Sequence, residues 1–361
     1  MKKTLSGKET EPKKFVPPLE ESFNNQQIDL FQSFLCNGDG HQEKLSNAIP
    51  LWDCLPRYTL SRQTLNKLRK EGKLPPLMNL PCRYFGQNYI VQIQPARIMD
   101  DKGGVMEYYP GLTEELIEDA LRKIATLQQH GYFDQSEVRS GVSFSIYELR
   151  EELRRQGHTR SYDEIVLSLK IMARSIIELQ TEADRNKAIS VSAYLSHLSS
   201  VSRADLKEDP QAKWYVEFHH LITQAISAVE YRQYNYTLMM SHSTQLARWL
   251  HKYLVNKFTY AQIGKVFEIR FSTVKRDSGL LEAYSRSRDA IDAVNKALEE
   301  LKQKGVLESI QANRVLGGKG KIEDVVYTVF PTITFSMEIK ASNKRLSDAK
   351  KGIVDEQSPV D

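Results

Sequence analysis

A chain of 361 residues with 40% hydrophobic content has room for two or three domains, each with its own core. Its 50 Lys/Arg and 46 Asp/Glu nearly cancel at a net +4, so the whole-chain charge selects no polyanionic partner. Three widely spaced cysteines (Cys36, Cys54, Cys82), a polar N-terminus and no apolar run near ~18 residues predict no disulfide framework, metal site, signal peptide or membrane span, and so a soluble, cytoplasmic chain.

Residues 1–25 are rich in Lys, Glu and Pro and predict a disordered arm. Residues 26–48, with Phe31, Phe34 and Leu35 before Gly38-Asp-Gly40, predict a short helix and a loop. Arg62 to Lys70 reads as helical, and Pro75, Pro76 and Pro81 end that pattern. Tyr89–Gln94 and Val105–Tyr109 both alternate around Asp100–Gly104, which predicts a β-hairpin between them.

From Thr113, Leu116, Ala120, Leu121, Ile124 and Leu127 form the stripe of a helix, and Val142–Phe144 a strand. Ser145 with Glu148, and Ser161 with Glu164, make two capping boxes on either side of the Gln156-Gly157-His158 turn. Ile176–Gln180, a tip at Asp184–Lys187 and Val191–Leu195 predict a β-hairpin. Trp214 to Tyr234 reads as a strand and then a helix.

A second set follows. Leu246, Trp249, Leu250, Tyr253 and Leu254 form a wide helical stripe, Phe267–Phe271 a strand, and Ser272-Thr273 opens a short helix. A helix capped by Ser285 carries Ile291, Val294, Ala297, Leu298 and Leu301 and stops at Gly305. Val306–Ile310 and Val325–Phe330 enclose a Gly/Lys-rich turn at 317–321. Each set has the element order of a winged helix, whose third helix fits a DNA major groove. The expected fold class is α+β. Residues 1–82 form a partly disordered extension, 83–204 an N-terminal winged helix with its hairpin, 205–340 a C-terminal winged helix and 341–361 a disordered tail.

Residues 241–340 carry 16 Lys/Arg against 11 Asp/Glu, whereas residues 113–202 carry 11 against 14. The C-terminal unit is therefore the better candidate for phosphate contacts. Its candidate DNA-contacting residues are Lys275, Arg276, Ser285, Arg286, Arg288, Asp292 and Lys296, with Arg314, Lys319 and Lys321 on the wing. The bland alternative is a solvated helix face, with Arg288 paired to Asp292 and Lys296 to Asp292 or Glu300. In the first unit the candidates are Arg160, Ser161, Tyr162, Lys170, Arg174, Arg185 and Lys187, against the alternative of a protein-facing module. His219 and His220 are adjacent, so on a strand they would point to opposite faces and could not form a His-apolar-His metal pair. The phosphate-loop, nucleophile-elbow and H-E-x-x-H spacings are absent. The chain reads as non-catalytic, with no metal and no cofactor.

The paired winged helices, the Tyr231/Tyr234 stretch and the run Ser243-Thr-Gln-Leu-Ala-Arg-Trp-Leu-His-Lys-Tyr-Leu254 resemble the replication initiators of theta-replicating, iteron-containing bacterial plasmids. Phe267–Phe271, the helix after Ser285 and the 89–109 hairpin are similar to parts of the same family, over roughly residues 83–335. The resemblance implies a protein that binds direct repeats in double-stranded origin DNA and melts an AT-rich segment. It implies recruitment of the host initiator and replicative helicase, and dimerisation in solution. An operator-binding transcriptional regulator is the alternative. The charge contrast predicts that a fragment from about residue 205 binds DNA alone. A fragment ending near 204 is expected to bind DNA poorly and to self-associate through its hairpin and first helix.

Overall fold

The computed structural model describes residues 44–99, 103–127, 131–134, 137–182, 184–200 and 213–356. The arm, the helix expected before residue 44 and the end of the chain lie outside the described residues. No helix among those described is long and apolar enough to cross a membrane.

The chain opens with β1 (Leu45–Ala48), α1 (Pro50–Cys54) and α2 (Arg62–Lys70). Pro50 starts α1, where its missing N–H costs nothing. Ser61 caps α2 by accepting the Thr64 N–H at 3.0 Å. Two hairpins follow, β2 (Met78–Tyr84) with β3 (Gln87–Gln94) and β4 (Ala96–Met99) with β5 (Val105–Tyr108). This corrects the single hairpin expected between residues 89–94 and 105–109. Pro95 has no N–H to give a ladder, so β3 ends before it and the chain starts a new strand.

The first unit continues with α3 (Leu112–Ala125), β6 (Gly131–Asp134), β7 (Arg139–Phe144), α4 (Ile146–Arg155), α5 (Tyr162–Arg174), β8 (Ile176–Thr181), β9 (Asp184–Ala193), β10 (Leu195–Ser199) and β11 (Trp214–Phe218). Both capping boxes form. The Glu148 N–H donates to Ser145 Oγ at 3.1 Å and the Glu164 N–H to Ser161 Oγ at 3.2 Å. The strands divide between two sheets, β2-β3-β8-β9 and β10-β11-β7-β6. So the strand before α4 does not join the hairpin after α5, unlike in a simple winged helix. Gly141 makes this possible, since a Cβ there would lie 2.1 Å from the Val216 carbonyl oxygen of β11. The turn after β8 falls before Asp184, which already pairs with Thr181, and not at 184–187 as expected.

Next come α6 (His220–Ser227), β12 (Arg232–Asn235), which pairs with β1, and α7 (Tyr236–Met240). The second unit is α8 (Gln245–Lys257), β13 (Phe267–Arg270), α9 (Phe271–Ser278), α10 (Ser287–Gln303), β14 (Leu307–Leu316) and β15 (Ile322–Pro331). Its sheet order, β13-β15-β14, is that of a winged helix. Gly279 ends α9 at φ +63°, and a Cβ there would meet Thr59 Cγ2 at 2.6 Å. The extension and the second unit are thus in close contact at this turn.

The chain closes with α11 (Ile333–Glu356), which corrects the unstructured tail expected from residue 341. Phe335 and Ile339 are buried in the core, and Leu346 and Ala349 pack against it on the same face. Side-chain bonds add to this packing: Asn343 bonds Arg232 and donates to the Thr259 carbonyl at 2.7 Å, and Glu338 accepts from Asn235 at 2.9 Å.

α3 is buried along its whole length from Glu114 to Ala125, charged residues included. In the whole chain the first helix is therefore covered. A cut near residue 204 would also remove β11 from between β10 and β7. The charges of α3 form a buried ionic seam. Asp53 of α1 accepts from Arg122 at 2.9 and 3.0 Å. Glu118 accepts from Arg57 at 2.7 Å and from the Tyr58 hydroxyl at 2.6 Å. Asp119 accepts from Arg122 at 2.8 Å, and Lys252 of α8 donates to Asp119 at 2.9 Å and to Glu115 at 3.2 Å. Burial by itself would raise the Glu118 and Asp119 carboxyls, but the Arg57, Arg122 and Lys252 charges overcome it and hold both below the usual range. Removing one partner strands a buried charge, which costs about 3–5 kcal/mol. We expect Lys252→Met to lower the unfolding free energy by about that amount in urea denaturation. A loss under about 1 kcal/mol would mean that the seam contributes no more than a surface pair.

Buried histidines add an acid sensitivity. His219 stacks on Trp52 at 4.4 Å, and His242 Nε2 lies 3.0 Å from His251 Nδ1. Burial lowers all three from the ordinary 6.5, His219 to about 2 and His242 to about 4. The unfolded chain takes up these protons near pH 6.5 while the folded chain does not. Stability present above pH 6.5 is therefore lost as pH falls toward 4. The urea midpoint should fall steadily across that window, each ring contributing up to about 1.4 kcal/mol per pH unit. A flat midpoint would show the rings protonated in the folded state.

Candidate nucleic-acid interface

α10 buries Ala290, Val294, Ala297, Leu298 and Leu301 against the second unit and leaves its opposite face in solvent. The helix begins at Ser287, with Arg286 at the cap position and no side-chain cap bond. Ser285 therefore does not cap it, a correction to the sequence reading. The Arg286 carbonyl accepts the Asp289 and Ala290 N–H groups, which sets the start two residues later. The first turn then presents Ser285, Arg286, Ser287, Arg288 and Asp289 together, all exposed.

The intrahelical ion pairs that the solvated-face alternative offered do not form, although exposed, unpaired cations are compatible with either reading. Among the described residues Arg286, Arg288 and Lys296 have no hydrogen-bonded or ion-paired partner within range. Glu300, the acid offered to Lys296, instead accepts the Ser243 hydroxyl at 3.0 Å and contacts Thr244 at 3.4 Å at the start of α8. The first turn thus carries two unneutralised guanidinium groups beside free helical N–H groups, an arrangement suited to phosphate or a base edge.

The wing is a long ribbon. From Gln311 to Leu316 every β14 residue is exposed, as are Lys321 to Glu323 at the start of β15. Six residues of strand extend roughly 20 Å. Arg314 stands on this ribbon opposite Val325, and the Gly317 N–H donates to the Lys321 carbonyl at 2.8 Å to close the turn. Lys319 lies within that turn, at Gly318–Gly320.

Not all candidates converge. Lys275 is exposed on α9, but Arg276 forks onto Asp277 at 2.6 and 2.8 Å. Asp277 also accepts the Arg83 N–H at 2.9 Å, so Arg276 helps to join β2 to α9. Asp292 and Lys296 line a cleft of about 530 Å³, with Tyr284 and Asp289 on their side and Thr59, Ser61 and Thr64 opposite. Residues 59–64 belong to the extension that the sequence reading left without a role. The nearest sequence signal was Ser61, a cap ahead of a basic helix.

In the first unit Lys170 and Arg174 are exposed on α5. Arg160 is half-buried and donates to the Thr159 carbonyl at 2.8 Å. Ser161 is engaged at both its N–H and its hydroxyl in the capping box, and Tyr162 packs against the core. Arg185 and Lys187 fall on strand β9, not at a hairpin tip. β4 packs against α5, so part of that helix is covered. The two histidines at 219 and 220 are not on a strand: His219 caps α6, its Nδ1 accepting the Leu221 N–H at 3.2 Å. Among the described residues no group of three or more His, Cys, Asp or Glu is placed to hold a metal ion.

No family model and no curated protein matches the chain. Among solved structures it is similar to a selenomethionine crystal structure of domains 2 and 3 of RctB, at TM-score 0.48 and 10% identity over 79% of this chain and 98% of that one. A second crystal structure of RctB domains 2–3 gives TM-score 0.46 and 9% identity over 80% and 99%. The Pi initiator protein in complex with iteron DNA gives TM-score 0.34 and 12% identity over 80% and 98%.

Proposed function

We propose that this protein is a sequence-specific double-stranded-DNA-binding replication initiator. The observation that carries the reading is the first turn of α10, where Arg286 and Arg288 stand exposed and unpaired beside a projecting basic wing. A third helix presented this way enters a major groove with its first turn toward the base edges. Arg288 is assigned to base reading, because a guanidinium can donate twice to guanine O6 and N7. Lys321 and Arg314 are assigned to phosphates of the flanking backbone.

The resemblance around Ser243–Leu254 supports the reading that this DNA lies in direct repeats at an origin. Local melting, recruitment of a host initiator and helicase, and dimerisation in solution belong to the same proposal. The first unit contributes through Lys170 and Arg174, more weakly because it is net acidic.

Selection of duplexes from a random pool by the full chain supplies the test. Arg288→Ala should cost about 1–3 kcal/mol on the selected sequence and relax discrimination at one position. Lys321→Ala should weaken every sequence alike and flatten the slope of log affinity against log salt by about 0.9. Selection of same-direction repeats supports an initiator, and selection of a palindrome supports an operator-binding regulator. Wild-type protein that enriches no sequence overturns the reading.

The proposal also makes the chain non-catalytic. Incubation with ATP and Mg²⁺, or with supercoiled plasmid and Mg²⁺ or Mn²⁺, should yield neither phosphate nor nicked circles. Nicking abolished by a single Tyr substitution would contradict it.

A further inference from the structure

α2 is unlike the other exposed helices of this chain. Its nine residues, Arg62 to Lys70, hold four cations and no carboxylate, in a chain whose charges otherwise nearly cancel. A solvated helix face ordinarily mixes both signs. The helix is also rigidly mounted. Leu65 is buried, Arg62 reaches Glu114 of α3, and Arg69 stacks over the Tyr108 ring at 4.9 Å and donates to the Glu107 carbonyl.

That mounting uses two of the four cations and sends the other two outward. Gln63, Asn66, Lys67 and Lys70 follow the i, i+3, i+4, i+7 spacing of a single helical face, and all four are exposed. They line a shallow depression with Glu71, whose carboxylate is paired to Lys73 at 3.1 Å. Neither Lys67 nor Lys70 has an ion-pair partner among the described residues. Thr64, one turn before Lys67, lies on the wall of the cleft opposite Asp292 and Lys296 of α10. Gln63, Asn66, Lys67 and Lys70 lie on the neighbouring face of the same helix, outside that cleft, so α2 meets the α10 cleft at Thr64 and carries its two outward lysines beside it.

We propose that α2 is a second DNA-contacting helix, which clamps duplex phosphates beside the segment read by α10. Lys67 and Lys70 neutralise the backbone, while Gln63 supplies a side-chain amide that can bond phosphate or an adenine edge, and Asn66, whose Oδ1 accepts from Arg69 at 2.8 Å, keeps its amide N–H for phosphate. The inference rests on the DNA-binding reading above. An acidic protein partner would meet the same cations, but the position of α2 across the cleft from α10, with Thr64 on its wall, favours the duplex.

The test uses the full chain with Lys67→Ala/Lys70→Ala and a fluorescent random-sequence duplex, titrated at several salt concentrations. Two lost phosphate contacts should flatten the slope of log affinity against log salt by about 1.8. Lys67→Arg/Lys70→Arg should restore it. Arg288→Ala, measured in parallel on a selected sequence, should lose discrimination while leaving the α2 contribution to the slope in place. Wild-type protein that binds while the double alanine variant keeps the wild-type slope and affinity overturns this inference and leaves α10 untouched. That same result is expected if α2 serves a protein partner. Wild-type protein that does not bind duplex overturns both readings.

Discussion

The ionic seam along α3 constrains everything else in the structure. Seven charged side chains, from Asp53 and Arg57 through Glu115, Glu118, Asp119 and Arg122 to Lys252, are brought out of water together. A buried charge is tolerated only when its partners are placed around it with good geometry. An apolar face could slide by a fraction of a side chain at little cost, but this one cannot. α1, α3 and α8 come from the extension, the first unit and the second unit, so the seam fixes all three against one another.

That fixing explains why residues 44–70 matter for the functional surface. β1 pairs with β12, Lys123 donates to the Leu45 carbonyl at 2.8 Å, and Gln245 of α8 donates to the Tyr58 carbonyl at 2.7 Å. The segment is tied to both units before α2 begins. α2 is then carried to the cleft beside α10 by a rigid strap, not by a flexible tether. Gly279 belongs to the same junction, because only a residue without Cβ lets Thr59 approach the end of α9.

The local elements were legible in the sequence where one cause sufficed. The Ser145/Glu148 and Ser161/Glu164 boxes, the α8 and α10 stripes and the Gly/Lys turn each follow from spacing alone. What failed had several causes. The hairpin was misplaced because Pro95 ends β3, which pairs instead with its neighbour β2 and with β8, far along the chain. α11 was missed because a polar, Lys-rich run separates Phe335 and Ile339 from Leu346 and Ala349 and masks their spacing. The start of α10 moved because backbone bonds from the Arg286 carbonyl outweigh the capping preference of a nearby serine. Of the candidate interface, Arg286 and Arg288 were legible as a basic first turn. The engagement of Arg276 with Asp277, and the cleft shared with residues 59–64, required the fold.

Under the proposed function, a rigid junction changes how the two units can cooperate on DNA. With a flexible linker, the second contact gains only from the effective concentration the tether allows, and many spacings of the two subsites are tolerated. Here the tether is replaced by packed helices and buried ion pairs, so less orientational entropy remains to be lost when the second unit engages. The cost is tolerance: a body held in one arrangement fits DNA whose subsites lie at one spacing and one helical phase. The charge distribution suits that division. Cations on the rigid first turn of α10 can discriminate bases because their positions are set by a helix. Those on the wing sit on a ribbon that extends beyond the packed body and act as point charges toward phosphates. On that reading, specificity resides on the first turn of α10, and general affinity on the wing and on α2.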